Sequence, residues 1–311
     1  MRILDTICIN TRKIINKYTA HKYPETSGGW KKFQHNPIIG DNNTGSLFDP
    51  FVLKQDNKFI MYLSSRNKNG IVRYESIDGK KWENSHLVLL SNEKDISINR
   101  ASIVISPNGI WHIYYTAQKN GKSWIEKADS PNGFLFDSKD AIKCVGGYDD
   151  EICYMNPCVI WDKEDNIYKM WYSAGEFYEP DVIMYATSED NIHWNTVENV
   201  VLMKEKREKY RKKKVGGCQV IKLNNSNYCM FYIGYQNIDV ANICLAYSHD
   251  GINWVQDSSN PVISPSMDGW DSDSVYKPTV VLDKELKYLW YNGRKNKNEY
   301  IGFAIKEERN Q

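Results

Sequence analysis

A few carboxyl groups in this sequence keep company that suits acid–base chemistry. Asp49 stands in Leu47-Phe48-Asp49-Pro50-Phe51-Val52, at the head of an apolar run. Asp149-Asp150-Glu151 lies upstream of Asn156, which opens Pro157-Cys158-Val159-Ile160, and Glu176 follows Met170-Trp171-Tyr172-Ser173. Breaking a glycosidic bond with water takes one carboxylate as base or nucleophile and one carboxylic acid to protonate the leaving oxygen. Asp49 with Glu151, or with Glu176, supplies such a pair, and Glu151 is preferred. An Asp before Pro also caps ordinary turns. Its place at the inner end of a strand is what sets Asp49 apart.

The elements that must position these groups are repeated. Ser76-Ile77-Asp78-Gly79-Lys80-Lys81-Trp82 recurs at Ser188–Trp194 and Ser248–Trp254, with a weaker copy at Ser130–Phe136; the serines lie 54, 58 and 60 residues apart. Each Asp-Gly or Asn-Gly type pair suits a tight turn, and an aromatic opens the returning strand. Ahead of each turn comes an apolar strand and then an aromatic one. Phe51-Val52-Leu53 precedes Met61-Tyr62-Leu63, and the pattern repeats to Thr279-Val280-Val281 before Leu289-Trp290-Tyr291, five times in all. Five strand–strand–strand–turn–strand units predict an all-β, five-bladed β-propeller with four-stranded blades.

The fifth unit stops at Ile301-Gly302-Phe303-Ala304-Ile305 without its returning strand. Trp30 with Asn36-Pro37-Ile38-Ile39 matches Trp254 with Asn260-Pro261-Val262-Ile263. The N-terminal strand is therefore expected to close the last blade, which removes an open sheet edge. The expected organisation is a single domain over 1–311, with blades at about 48–90, 100–143, 152–202, 215–263, and 275–306 plus 29–39.

In such a ring the first strand of each blade lines the channel. The loops entering it and those leaving the second strand then share one mouth. Before the first strands stand Asp49, Ala101 (after Arg100), Asn156, Cys218 and Lys277. After the second strands come Arg66, Gln118, Glu176, Tyr235, Gln236 and Arg294. Arg66, Arg100, Asn156, Tyr235, Lys277 and Arg294 are expected to hold a ligand rich in hydroxyls.

Other chemistry finds less support. A net charge of +1 gives no global argument for nucleic acid or an anionic membrane. None of the seven cysteines forms a CxxC pair, the six histidines lack ligand spacing, and no glycine-rich phosphate loop is present. No metal or cofactor is expected. Residues 204–214 carry eight Lys or Arg in eleven positions, either a solvated loop or an attractor for a phosphate or acidic glycan. The N-terminus lacks a signal-peptide pattern and no run is long enough to span a bilayer. The expectation is a cytoplasmic monomer whose partner is a carbohydrate or activated sugar, not nucleic acid or membrane.

The five-fold repeat and the Asp-Pro opening of the first unit resemble the five-bladed propeller glycosidases of glycoside hydrolase families 43 and 32. That resemblance implies a catalytic Asp at the start of blade one, a second Asp on blade two and a Glu on blade three. Asp49 matches the first. Asn99-Arg100-Ala101-Ser102 stands where the blade-two Asp belongs, and Glu151 lies farther from its proline than the family pattern places its Glu. Lys169-Met170-Trp171-Tyr172-Ser173 and Trp270-Asp271-Ser272-Asp273-Ser274 resemble a less characterised branch associated with bacterial surface-polysaccharide assembly. The resemblance implies a glycoside hydrolase-like enzyme. The alternative is a non-hydrolytic sugar- or nucleotide-sugar-binding protein of polysaccharide biosynthesis.

Overall fold

The computed structural model describes residues 2–40, 46–177, 179–224, 227–283, 286–296 and 298–307. A helix, α1 (Arg2–Thr19), comes first, then the short strand β1 (Lys31–Lys32). Blade one holds β2 (Leu47–Gln55), β3 (Lys58–Ser65), β4 (Gly70–Ser76) and β5 (Glu83–Leu90). Blade two holds β6 (Ser97–Ile105), β7 (Trp111–Lys119), β8 (Lys122–Ser130) and β9 (Ile142–Val145). Blade three holds β10 (Cys153–Asp162), β11 (Ile167–Glu176), β12 (Glu179–Ser188) and β13 (Asn195–Leu202). Blade four holds β14 (Lys214–Asn224), β15 (Asn227–Tyr235), β16 (Ala241–Ser248) and β17 (Val255–Gln256). Blade five holds β18 (Ser274–Asp283), β19 (Leu286–Lys295) and β20 (Asn298–Glu307), with β1 as its outer strand. Five four-stranded antiparallel sheets thus form the expected propeller, closed by the N-terminal strand.

Why the ring closes is visible in one repeated contact. The aromatic after each turn packs edge-on against the second-strand aromatic of the preceding blade. Trp82 meets Trp290 at 6.0 Å, Phe136 meets Tyr62 at 6.4 Å, and Trp194 meets Tyr114 at 5.8 Å. Trp254 meets Trp171 at 6.4 Å, and Trp30 completes the circle on Phe231 at 5.8 Å. Edge-to-face pairs at such separations add to the burial of large rings. Turn carbonyls join in: the Trp290 indole donates to Gly79 O at 2.8 Å and Trp171 to Gly251 O at 2.7 Å.

The split fifth blade uses the same clamp as the intact fourth. The Asn36 amide spans the Phe303 backbone, donating to its O and accepting from its N at 2.9 Å each. Asn260 does the same to Leu245 at 2.7 Å. Lys32 then ties β1 down through buried Asp271 at 2.8 Å. The core is correspondingly five inter-blade clusters, such as Ile60, Tyr62, Ile98 and Ile113 between blades one and two. All seven cysteines are free, and five of them are buried. Among the described residues no helix is long and apolar enough to cross a membrane.

Candidate active site

Each innermost strand breaks its register at the channel mouth. The shift falls between Phe48 and Phe51, Asn99 and Ser102, Met155 and Cys158, Gly216 and Gln219, and Tyr276 and Thr279. The first residue of each bulge is left-handed: Asp49 (φ 54°), Arg100 (61°), Asn156 (55°), Gly217 (48°) and Lys277 (48°). Bulges of this kind re-aim a side chain, and their left-handed residue is ordinarily glycine. Only blade four obeys that preference. A Cβ on Gly217 would meet Ile233 Cδ1 at 2.5 Å. The other four blades carry Asp, Arg, Asn and Lys in a costly conformation, a pattern typical of backbone held by its surroundings.

The surroundings can be named. The bulge amide is bonded by the fourth residue of the aromatic strand motif in the preceding blade. Ser64 Oγ accepts from Arg100 N at 2.9 Å, and Thr116 Oγ1 accepts from Asn156 N at 3.0 Å. Ser173 Oγ accepts from Gly217 N at 2.9 Å, and Asn292 Oδ1 accepts from Asp49 N at 3.1 Å. Blade four has Ile233 at that place, which has no acceptor to offer Lys277.

The four non-glycine bulge residues share a cavity of about 280 Å³, close to the size of small-molecule sites. Asp49, Arg66, Arg100, Asn156, Tyr235, Lys277 and Arg294, all expected from sequence, line it together. Glu151 and Glu176 do not; both are exposed, Glu151 in the loop before β10 and Glu176 paired with Glu179 at the end of β11. The carboxylates that join Asp49 are instead Glu179 and Glu299. Both lie near the start of a third strand, and the hairpin register sets Glu299 opposite Arg294. Sequence reasoning took only the first- and second-strand loops for this mouth. Third strands begin where second strands end, and that rule would have found both glutamates. In blades two and four the bulge residues are Arg100 and Gly217, one position before Ala101 and Cys218.

The electrostatics are those of a pocket of mixed charge, buried at its base. Burial pushes the Asp49 carboxyl above its ordinary range, while Arg100, Lys277 and Arg66 pull it back. Arg100 Nε lies 3.5 Å from Asp49 Oδ2. Glu299 is likewise pushed up by burial, with Asp49 adding to the effect, against hydrogen bonds from Tyr276 and Asn292. Asn292 Nδ2 donates to Glu299 at 2.5 Å, so one amide joins the Asp49 backbone to the Glu299 carboxylate. Burial holds the Lys277 ammonium below its usual value, with Asp49 opposing. Burial also keeps the Tyr235 and Tyr276 hydroxyls protonated. Arg100 Nη1 is buried and has no hydrogen-bond partner among the described residues. A buried donor left unpaired is costly, and a ligand oxygen would satisfy it.

Two other features stand apart from this site. A wider cavity of about 750 Å³ is lined by the far ends of the inner strands and contains no carboxylate. The basic run at 204–214 contributes no lining residue to the small cavity. There Arg211 pairs with Glu208, and Lys214 reaches Asp181 at 3.1 Å. Among the described residues no three His, Cys, Asp or Glu side chains gather as a metal site.

The family model described as the glycosyl hydrolases family 32 N-terminal domain matches residues 7–99 and 149–305. The chain belongs to this family. The stretch between the matched segments is most of blade two, where this family 32 propeller carries Arg100. Two uncharacterized proteins from Mycobacterium tuberculosis strains are 27% identical over 157 residues, 49% of this chain and 50% of theirs. The chain thus spans about half the length of the curated relatives it matches. A thermostable family-43 glycoside hydrolase superposes with a TM-score of 0.65 at 17% identity, covering 88% of this chain and 98% of its own. A structure from glycoside hydrolase family 130, mannoside phosphorylases that include hydrolases targeting β-1,2 mannosidic linkages in Candida mannan, superposes with a TM-score of 0.69. Its identity is 16%, over 91% of this chain and 96% of its own. At those identities the likeness speaks for the fold.

Proposed function

We propose that this family 32 propeller cleaves or transfers a glycosidic bond of an acidic sugar, with Asp49 as base or nucleophile and Glu299 as acid. The observation that carries the reading is the pair itself: two shielded carboxyl groups facing one small cavity, linked through Asn292. Glu299 retains its proton above the ordinary carboxylate range, which suits a group that must protonate a leaving oxygen. Asp49 sits beside Arg100 and near Lys277 and Arg66, whose charge favours its ionised form and opposes the cost of burial. Because the two carboxyls interact, their titrations belong to the pair. Tyr235 and Tyr276, kept neutral, offer hydroxyls to the sugar.

The cavity also argues for the substrate's charge. Arg66, Arg100, Lys277 and Arg294 face Asp49, Glu179 and Glu299, a surplus of one cation before either carboxyl is protonated. With Glu299 protonated the surplus grows to two. A carboxylate or phosphate on the sugar would use the unpaired Arg100 Nη1.

The test is a panel of glycosides and oligosaccharides, neutral, uronic and phosphorylated, with products followed by mass spectrometry. Each is incubated with and without inorganic phosphate, so that hydrolysis and phosphorolysis are told apart. Cleavage or transfer confined to the anionic members is the expected result. Activity on neutral arabinosides or xylosides alone would overturn the acidic-sugar assignment, and no turnover of any member would overturn the enzyme reading.

A further inference from the structure

Helix α1 is mounted with its polar side against the propeller and its apolar side outward. Arg12 Nη2 and Asn16 Nδ2 bond Asp239 at 3.2 and 2.6 Å, and Lys17 Nζ bonds Asp273 at 3.0 Å. Asn237 adds a bond to Asn16 O at 3.0 Å. On the other side Ile14 is 57% exposed, Ile15 54% and Tyr18 81%. In sequence Ile3, Leu4, Ile7, Ile14, Ile15 and Tyr18 recur at the three- and four-residue spacing of one helical stripe. Helices on globular proteins normally turn that stripe inward, so this arrangement is inverted and calls for a partner.

We propose that α1 is a docking helix for an anionic lipid surface, lying flat in its interface. Charge selects this partner over a second copy of the chain. From Thr6 to Pro24 the sequence has Arg12, Lys13, Lys17 and Lys22 and no acidic residue. Arg12 and Lys17 are held by Asp239 and Asp273, which leaves Lys13 and, just past the helix end, Lys22 exposed. Two such helices face to face would bring like charges together, whereas anionic headgroups complement them. Apolar side chains buried at the headgroup boundary, with an amphipathic tyrosine and flanking lysines, describe an interfacial helix. This differs from spanning the membrane, for which no helix among the described residues is suited, and it departs from the expectation of no membrane partner.

The placement also gives the helix a role toward the cavity. Asp239, which anchors α1, follows Ile238, a lining residue, and its carbonyl accepts from Arg294 at 3.1 Å. α1 therefore stands on the rim of the mouth, between blades four and five. A surface bound to it would lie beside the site, where an amphiphile-borne glycan could reach the cavity. The surface binding itself does not depend on the catalytic reading.

Vesicle co-sedimentation of the full chain tests it. Vesicles of phosphatidylcholine alone are compared with vesicles that also contain phosphatidylglycerol. The wild type should sediment with the anionic vesicles and much less with the neutral ones. Changing Ile14, Ile15 and Tyr18 together to Ser should lower partitioning roughly tenfold or more, since the contact is apolar burial. Lys13→Ala with Lys22→Ala should weaken it several-fold on anionic vesicles only. Ile77→Ser, which removes an exposed isoleucine from a blade-one turn, should change nothing. All of these side chains are exposed, so melting of the variants should match the wild type. Absence of wild-type binding to either vesicle would overturn the proposal, as would binding indifferent to the triple change. So would a wild-type dimer, seen by sedimentation equilibrium, that the triple change converts to a monomer.

Discussion

Lys277 offers the sharpest test of the idea that this mouth stores backbone strain. Its φ is 48°, it is buried, and its ammonium is held below its usual value by burial. Lys277→Ala and Lys277→Gly both remove the charge and the stem, so comparing the two isolates the backbone. In an extended strand alanine is the more stable by roughly 0.5–1 kcal/mol, because glycine surrenders more freedom on folding. In the left-handed region the order reverses, since a Cβ there costs about 1–2 kcal/mol. The difference predicts that Lys277→Gly is the more stable by about 1 kcal/mol. Urea unfolding followed by tryptophan fluorescence reads it as a higher midpoint at an unchanged slope. Val281, further along β18, serves as control and should give the ordinary order, alanine above glycine. If Lys277→Ala matches or exceeds Lys277→Gly, the bulges store no strain and the reasoning fails.

Other expectations follow from the same contacts. Arg100→Gln removes the strongest pull holding Asp49 down, so the acid limb of the pH–rate profile should move to higher pH. The sign follows from role: a base works only when deprotonated, and its raised value means activity is lost sooner as pH falls. Asn292→Ala removes a hydrogen bond that favours ionised Glu299, so the basic limb should move up as well. Trp30→Ala opens the ring of aromatic pairs and should cost about 3–5 kcal/mol, more than Trp254→Ala, whose ring is half-buried, as read by urea unfolding. Removing residues 2–20, in contrast, should leave the unfolding midpoint nearly unchanged. Asp271→Ala takes the buried acceptor away from half-buried Lys32 and from the Tyr291 hydroxyl and should destabilise by about 2–3 kcal/mol in the same assay.

The fold was legible because its repeat is written in residues that do one job five times. Trp82, Phe136, Trp194, Trp254 and Trp30 each need a ring from the preceding blade, so their spacing encodes the circle and its closure. The site was legible where it depends on the same repeat: Asp49, Asn156 and Lys277 precede a proline at one place in the unit. Arg100 and Gly217 lack that proline, so in blades two and four Ala101 and Cys218 were taken as the residues before the strand. Glu299 was illegible for another reason. It stands at the start of a third strand, opposite Arg294, and only the ends of first and second strands were counted toward the mouth. The helix escaped notice because an inverted amphipathic stripe has no long apolar run, and only its docking to Asp239 and Asp273 shows which side faces out.

The most direct test of the central claim is the rate of glycoside cleavage by three single variants of equal melting temperature. Asp49→Asn and Glu299→Gln should each lose about a hundredfold or more, the usual worth of a positioned acid or base. Glu151→Gln, exposed and outside the cavity, should stay close to wild type. Asp49→Asn as active as the wild type, or a loss at Glu151 in place of Glu299, would contradict the account.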